Sequence, residues 1–108
     1  MTVQIAILTF AAGAQQFPAP SSGPGLVNKI YAQPLRSNTH PCAVGVSTVV
    51  ADGTGTGVIK ELATPPAATI PLDEFSLEDQ GGDNRLEPVQ FYAQGTAGEK
   101  LKVTYVIV

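Results

Sequence analysis

The sequence has 108 residues, 44% of them hydrophobic and only 14% charged, with a formal net charge of −3. That length suits one domain and excludes a catalytic unit with a separate partner-binding unit beside it, while a low charged fraction with a normal apolar share excludes a disordered chain. The acidic balance argues against nucleic acid as a partner, the longest apolar run (Ile5 to Leu8) is far too short to span a membrane, and the single cysteine, Cys42, cannot close an internal disulfide.

Charge is placed unevenly. Residues 1–28 carry none, residues 1–50 hold Lys29 and Arg36 without one acid, and all nine acids lie in 51–108. A solvated surface of 28 residues normally holds several charges, so the N-terminal stretch is expected to be core or to be covered by something else. Its apolar run 3–12, closed by Ala12-Gly13-Ala14, has the outline of a secretory leader. No Lys or Arg precedes that run, and Gln4 and Thr9 interrupt it, which favours a strand.

The predicted strand covers 2–10, with Val3, Ile5 and Ile7 on one face and Ala6, Leu8 and Phe10 on the other. Both faces are apolar, as in a strand covered on two sides. Residues 11–25 hold three prolines and three glycines and read as an extended arm or long loop. Fully extended at about 3.3 Å per residue, that arm would reach on the order of 50 Å. A second strand over 26–33 opposes Leu26, Ile30 and Ala32 to Lys29, Tyr31 and Gln33, and ends at Pro34.

After a turn at Ser37-Asn38-Thr39-His40-Pro41, residues 42–50 alternate as a strand, Cys42, Val44 and Val46 on one face and Ala43 and Gly45 on the other. A glycine-rich turn, Gly53, Gly55 and Gly57, leads into a strand over 58–62, and 69–72 reads as a short edge strand broken by Pro71. Residues 73–85 read as an acidic polar stretch with room for one helical turn. The last hairpin runs over 88–93 and 100–108, with Leu101, Val103, Tyr105 and Ile107 strictly alternating with Lys100, Lys102, Thr104 and Val106. The expected core comprises Val44, Val46, Phe91, Leu101, Val103 and Tyr105.

Seven or so short strands in one chain predict an all-β fold, an antiparallel β-sandwich of jelly-roll type with an extended N-terminal arm; a small closed barrel is the alternative. Residues 1–108 are taken as one β-sandwich domain, with 1–24 as a strand and Pro/Gly-rich arm reaching a neighbouring subunit. Val3, Ile5, Ile7, Phe10 and Phe17 are the candidate partner interface.

Catalytic constellations are sparse. His40 and Cys42 flank Pro41, but zinc would need two further ligands and a Cys–His nucleophile needs an orienting third group. A lone cysteine on an apolar face acts as a small hydrophobe. Asp73, Glu74, Glu78, Asp79, Asp83 and Glu87 lack the alternating ligand spacing of a calcium loop and read as a solvated acidic loop, with a cation or a basic partner left open. The alternating glycines lack the Lys-Ser/Thr of a phosphate loop, and three tyrosines are too few for a base-stacking platform. No enzyme, no cofactor and no metal is expected.

Two motif sets carry a family resemblance. Ser37-Asn38-Thr39 followed by Val44-Gly45-Val46-Ser47-Thr48-Val49, together with Phe91-Tyr92-Ala93, Gly95, Ala97-Gly98, Leu101, Val103 and Tyr105, resembles small virion proteins of tailed bacteriophages over roughly residues 25–108. Those proteins usually carry a glycine after Asn-Thr where His40-Pro41 stands here. The resemblance implies a capsid decoration (cement) protein on the virion surface, made in the host cytoplasm. It further implies a homo-oligomer that binds and stabilises a shell of major capsid protein. A head-fibre, neck or tail component is the first alternative, and a secreted carbohydrate- or protein-binding β-module the second.

Overall fold

The β-type runs at the two ends of the chain form two long strands side by side. In the computed structural model, which describes residues 1–21, 25–67, 69–80 and 86–107, β1 (Thr2–Thr9) lies antiparallel to β8 (Lys100–Ile107) along its whole length without a register shift. Between them the chain forms β2 (Gln15–Gln16), β3 (Lys29–Pro34), β4 (Cys42–Gly45), β5 (Val58–Leu62), β6 (Phe75–Glu78) and β7 (Tyr92–Gln94), with one 3₁₀ turn at Pro88–Gln90. Two four-stranded sheets result, ordered β1-β8-β3-β6 and β2-β7-β4-β5. First pairs with last, second with seventh, third with sixth and fourth with fifth. That is the pairing of a long antiparallel ribbon folded over on itself, the jelly-roll arrangement of a sandwich.

The core lies between the sheets. Leu101, Val103 and Tyr105 of β8, Ile30 and Ala32 of β3 and Phe75 of β6 face Cys42, Val44, Leu62 and Ala93 of the second sheet. Each aliphatic side chain closed off in this way contributes roughly 1.5–3 kcal/mol of burial. Phe17 and Phe91 rings, 6.2 Å apart, and Phe75 and Phe91 rings, 5.9 Å apart, fill the space near the 3₁₀ turn.

Several sequence expectations are corrected here. Residues 11–21 are no free arm: β2 pairs with β7, the Phe17 N–H donates to the Phe91 carbonyl at 2.9 Å, and the Tyr105 hydroxyl donates to the Pro18 carbonyl at 2.7 Å. The accessible surface, 5724 Å², matches the roughly 5,700 Å² of a compact monomer of this mass, and an outstretched arm would exceed it. The strand expected over 42–50 stops at Gly45, where the β4–β5 register shifts. A Cβ at Gly45 would collide with the Gly57 carbonyl, and Gly57 itself adopts a φ of +65°. The chain therefore turns, Val46 comes out into solvent and Val49 takes the buried place. Phe91, expected inside, is half-buried.

The strand expected over 69–72 forms six residues later, as β6. Phe75 and Leu77 point inward from β6 while Ser76 and Glu78 stay exposed, so part of the acidic stretch is a strand. Residues 81–85 of that stretch, Asp83 and Arg85 among them, lie outside the described residues.

Candidate protein interface

Every open sheet has two edges, and each edge presents backbone donors and acceptors in search of partners. Here the edges are β1 and β6 in the first sheet, β2 and β5 in the second. Three carry protection. The β2 edge is only two residues long. The β5 edge holds Lys60 and Glu61, with Lys60 Nζ 3.9 Å from Asp73. The β6 edge is four residues long and ends in Glu78, paired to Lys29 at 3.3 Å. Short length and charge are the devices by which sheets avoid being extended. The remaining edge, β1, is eight residues long, with no charge and no proline.

The hydrogen-bond phase of β1 follows from its neighbours. Phe10 donates its N–H to the Glu99 carbonyl at 2.9 Å, one step beyond the β1–β8 ladder, and Leu35 donates to the Lys100 carbonyl at 3.2 Å on the other side of β8. Antiparallel ladders alternate bonded and non-bonded pairs. Even-numbered residues of β1 therefore bond to β8, and the N–H and C=O groups of Val3, Ile5 and Ile7 point outward. Among the described residues no backbone group reaches those three. Their side chains stand on the solvent face of the sheet, 51%, 64% and 50% exposed. Val106, half-buried opposite Val3, widens the stripe. On the inward side, Pro18 and Ser21 close the sandwich beneath β1, Ser21 donating its N–H to Gln4 Oε1 at 3.0 Å.

The five residues of the sequence-based interface separate accordingly. Val3, Ile5 and Ile7 come together on the open edge. Phe10 and Phe17 do not join them, being 2% and 1% exposed within this chain's own core. Within this chain the even residues of β1 face inward, while Val3, Ile5 and Ile7 stay exposed. Removing residues 1–24 would strip two strands and two core phenylalanines from the sandwich.

The other candidates are pieces of structure. Cys42 sits in the core, where loss of hydration above all, then the nearby charges of Glu99 and Asp73, pushes its thiol up to about 12, so it stays a protonated hydrophobe. His40 points away to Glu99, Nδ1 3.3 Å from Oε2. Glu99 accepts from the Thr39 N–H at 2.7 Å, the Thr39 hydroxyl at 3.0 Å and the His40 N–H at 3.2 Å, and the Thr39 backbone bond leads in holding its carboxyl below the ordinary range. Asn38, a turn residue in the sequence, instead clasps Lys100: its Nδ2 donates to the Lys100 carbonyl at 2.7 Å and its Oδ1 accepts from the Lys100 N–H at 3.1 Å. Gly53, Gly55 and Gly57 belong to an exposed turn in which Asp52 caps Thr54. Among the described residues no three His, Cys, Asp or Glu side chains gather as metal ligands would. A shallow groove of about 290 Å³ lies beside the β1 stripe on the outer face, lined by Tyr31, Gln33, Glu74, Lys102 and Thr104.

Comparison with known proteins returned no matching family model and no matching curated protein. Among solved structures, the chain is similar to one from Bacillus endospore appendages, described as a novel family of disulfide-linked pili. The match has 12% identity and a TM-score of 0.43, and covers 99% of this chain and 87% of the other. This finding corrects the sequence-based resemblance: the aligned protein belongs to a bacterial appendage, and the reading as a phage capsid decoration protein, with a major capsid protein as partner and the virion as location, is withdrawn. At that identity no residue role passes between the two, and the jelly-roll assignment rests on the strand order above.

Proposed function

We propose that this protein is a structural assembly module without catalytic function, joined to its partner by extension of the first sheet across β1. The single observation that carries the reading is the unprotected edge: eight uncharged residues whose outward backbone groups and exposed aliphatic side chains fall on the same three positions, Val3, Ile5 and Ile7. Strand addition uses that combination, the backbone providing affinity and alternate side chains providing specificity. The sequence's one cysteine is buried in the core, so the joint does not rest on a disulfide through it.

Hydrogen exchange tests this. In the assembly purified from its source, the amides of Val3, Ile5 and Ile7 are slow to exchange; in refolded monomer they are fast, while those of Ala6 and Leu8 are protected in both. Fast exchange at the odd positions in the native assembly overturns the reading.

A second reading, a carbohydrate-binding module, draws on the groove around Tyr31, where one aromatic ring stands among amide, carboxylate, ammonium and hydroxyl groups. It requires that oligosaccharide binding, measured by calorimetry, be abolished by Tyr31→Ala.

A further inference from the structure

From the register of β1 we infer that its partner is a second copy of this chain, the two β1 strands pairing antiparallel about a two-fold axis through Ile5. The inference rests on the assembly reading above and names the partner of that edge.

Three constraints select this arrangement. The other three edges of the molecule are short or charged, which leaves β1 as the edge a second copy can offer in return. An interface that uses one patch on both copies must be self-complementary under a two-fold rotation. In antiparallel pairing the sum of paired residue numbers must then be even, so that outward residues meet outward residues and exposed faces match. Within β1, the register centred on Ile5 is the one that sets all three aliphatic residues against each other, Val3 opposite the partner's Ile7, Ile5 opposite itself and Ile7 opposite the partner's Val3. A register centred on Ala6 would put Val3 against Thr9.

The hydrogen-bond phase agrees independently. The outward N–H and C=O groups belong to the odd residues, and these become the bonded pairs when the axis passes through Ile5. Three such pairs exchange on the order of six backbone hydrogen bonds. No charge lies on β1, so no like charges are brought together. The joined sheet runs β6-β3-β8-β1 into the same order reversed, eight strands in all, with the stripe widened on each side by Val106. Cross-strand pairs of β-branched residues stabilise such joints.

The test uses the full chain, followed by sedimentation over a range of concentrations, with the parent and three variants at Ile5. The parent is a dimer that dissociates on dilution. Ile5→Lys, which puts two ammonium groups face to face on the axis, weakens the dimer by roughly a hundredfold with an unchanged far-ultraviolet spectrum. Ile5→Pro supports the fold control: it removes an outward N–H and spares the ladder to β8. In Ile5→Cys, the paired Cα atoms stand about 5.5 Å apart, within the range a disulfide spans, and mild oxidation links two chains through residue 5. An Ile59→Cys control, on an exposed position of β5, stays unlinked under the same oxidation.

A parent that is monomeric at all concentrations overturns the second-copy inference, and the exchange experiment on the native assembly then judges the assembly reading alone. A dimer that Ile5→Lys dissociates but Ile5→Cys does not link overturns the register while supporting β1 as the interface. A dimer indifferent to Ile5→Lys and Ile5→Pro overturns both.

Discussion

The first sheet has two edges, and they differ in every feature that decides whether a sheet can grow. At β6 the strand has four residues, Glu78 stands on it and Lys29 pairs with that carboxylate. At β1 the strand has eight residues without a charge. Both strands send alternate residues into the same core, Leu77 and Phe75 from one, Ala6 and Leu8 from the other. Their inward sides are therefore equivalent in kind, and the outward sides separate a closed edge from an open one. The contrast teaches that folding constrains only half of an edge strand, while the other half is free to serve assembly.

The largest effect is expected where neither edge is involved. Leu101 is fully buried on β8, between Leu8 of β1 and Pro34 of β3 and facing the second sheet, and Leu101→Ala should cost about 2–5 kcal/mol in urea denaturation. The loss should be the same in an Ile5→Lys background, which would separate folding from assembly. A smaller loss in that background would mean the two are coupled.

The comparison can be broken by giving β6 the character of β1. Ser76→Ile combined with Glu78→Val leaves β6 uncharged, and light scattering should then find a second, weaker association, at least about tenfold stronger than any shown by the parent at that edge, or about 1.4 kcal/mol. An unchanged size distribution would show that charge does not close β6.

Within β1 itself, the inward and outward sides should respond differently. Leu8→Ala, packed against the core, should lower monomer stability by about 1–2 kcal/mol. Ile7→Thr, on the exposed side, should stay within about 0.5 kcal/mol while weakening association. Equal destabilisation of the monomer by both changes would invert the assigned faces.

The smallest expected effect concerns the connection between β8 and the turn at Thr39. The Glu99 carboxyl is held below its ordinary value of 4.5 by the bonds from Thr39 and His40. Its contribution is thus fully present above about pH 4.5 and is lost as pH falls from there through the lower folded value. Glu99→Gln should be slightly less stable than the parent at neutral pH, with the difference closing below pH 4.5 in urea titrations. A difference that persists at pH 2 would assign the effect to packing instead of charge.

Much of the fold is legible in the chain because strand alternation is a local property. The strict pattern of 100–108 marks Leu101, Val103 and Tyr105 as inward, and Cys42 and Val44 follow the same rule. The signal fails where a strand is too short to have a period, as in the two residues of β2, or where turn geometry overrides it, as at Gly45 and Gly57, which send Val46 outward. It also missed β6, whose acidic outward residues masked the inward pair Phe75 and Leu77.

The candidate site shows the division most clearly. That residues 2–10 form an uncharged strand, apolar on both faces, is determined by the sequence alone. Which of those faces enters the core, and that the strand stands at an edge with its odd-numbered backbone groups unpaired among the described residues, was decided by the tertiary structure. The physical reason is that an apolar pattern records which residues avoid water, but not which neighbour covers them. For Phe10 and Phe17 that neighbour is the chain's own second sheet; for Val3, Ile5 and Ile7 none is found among the described residues.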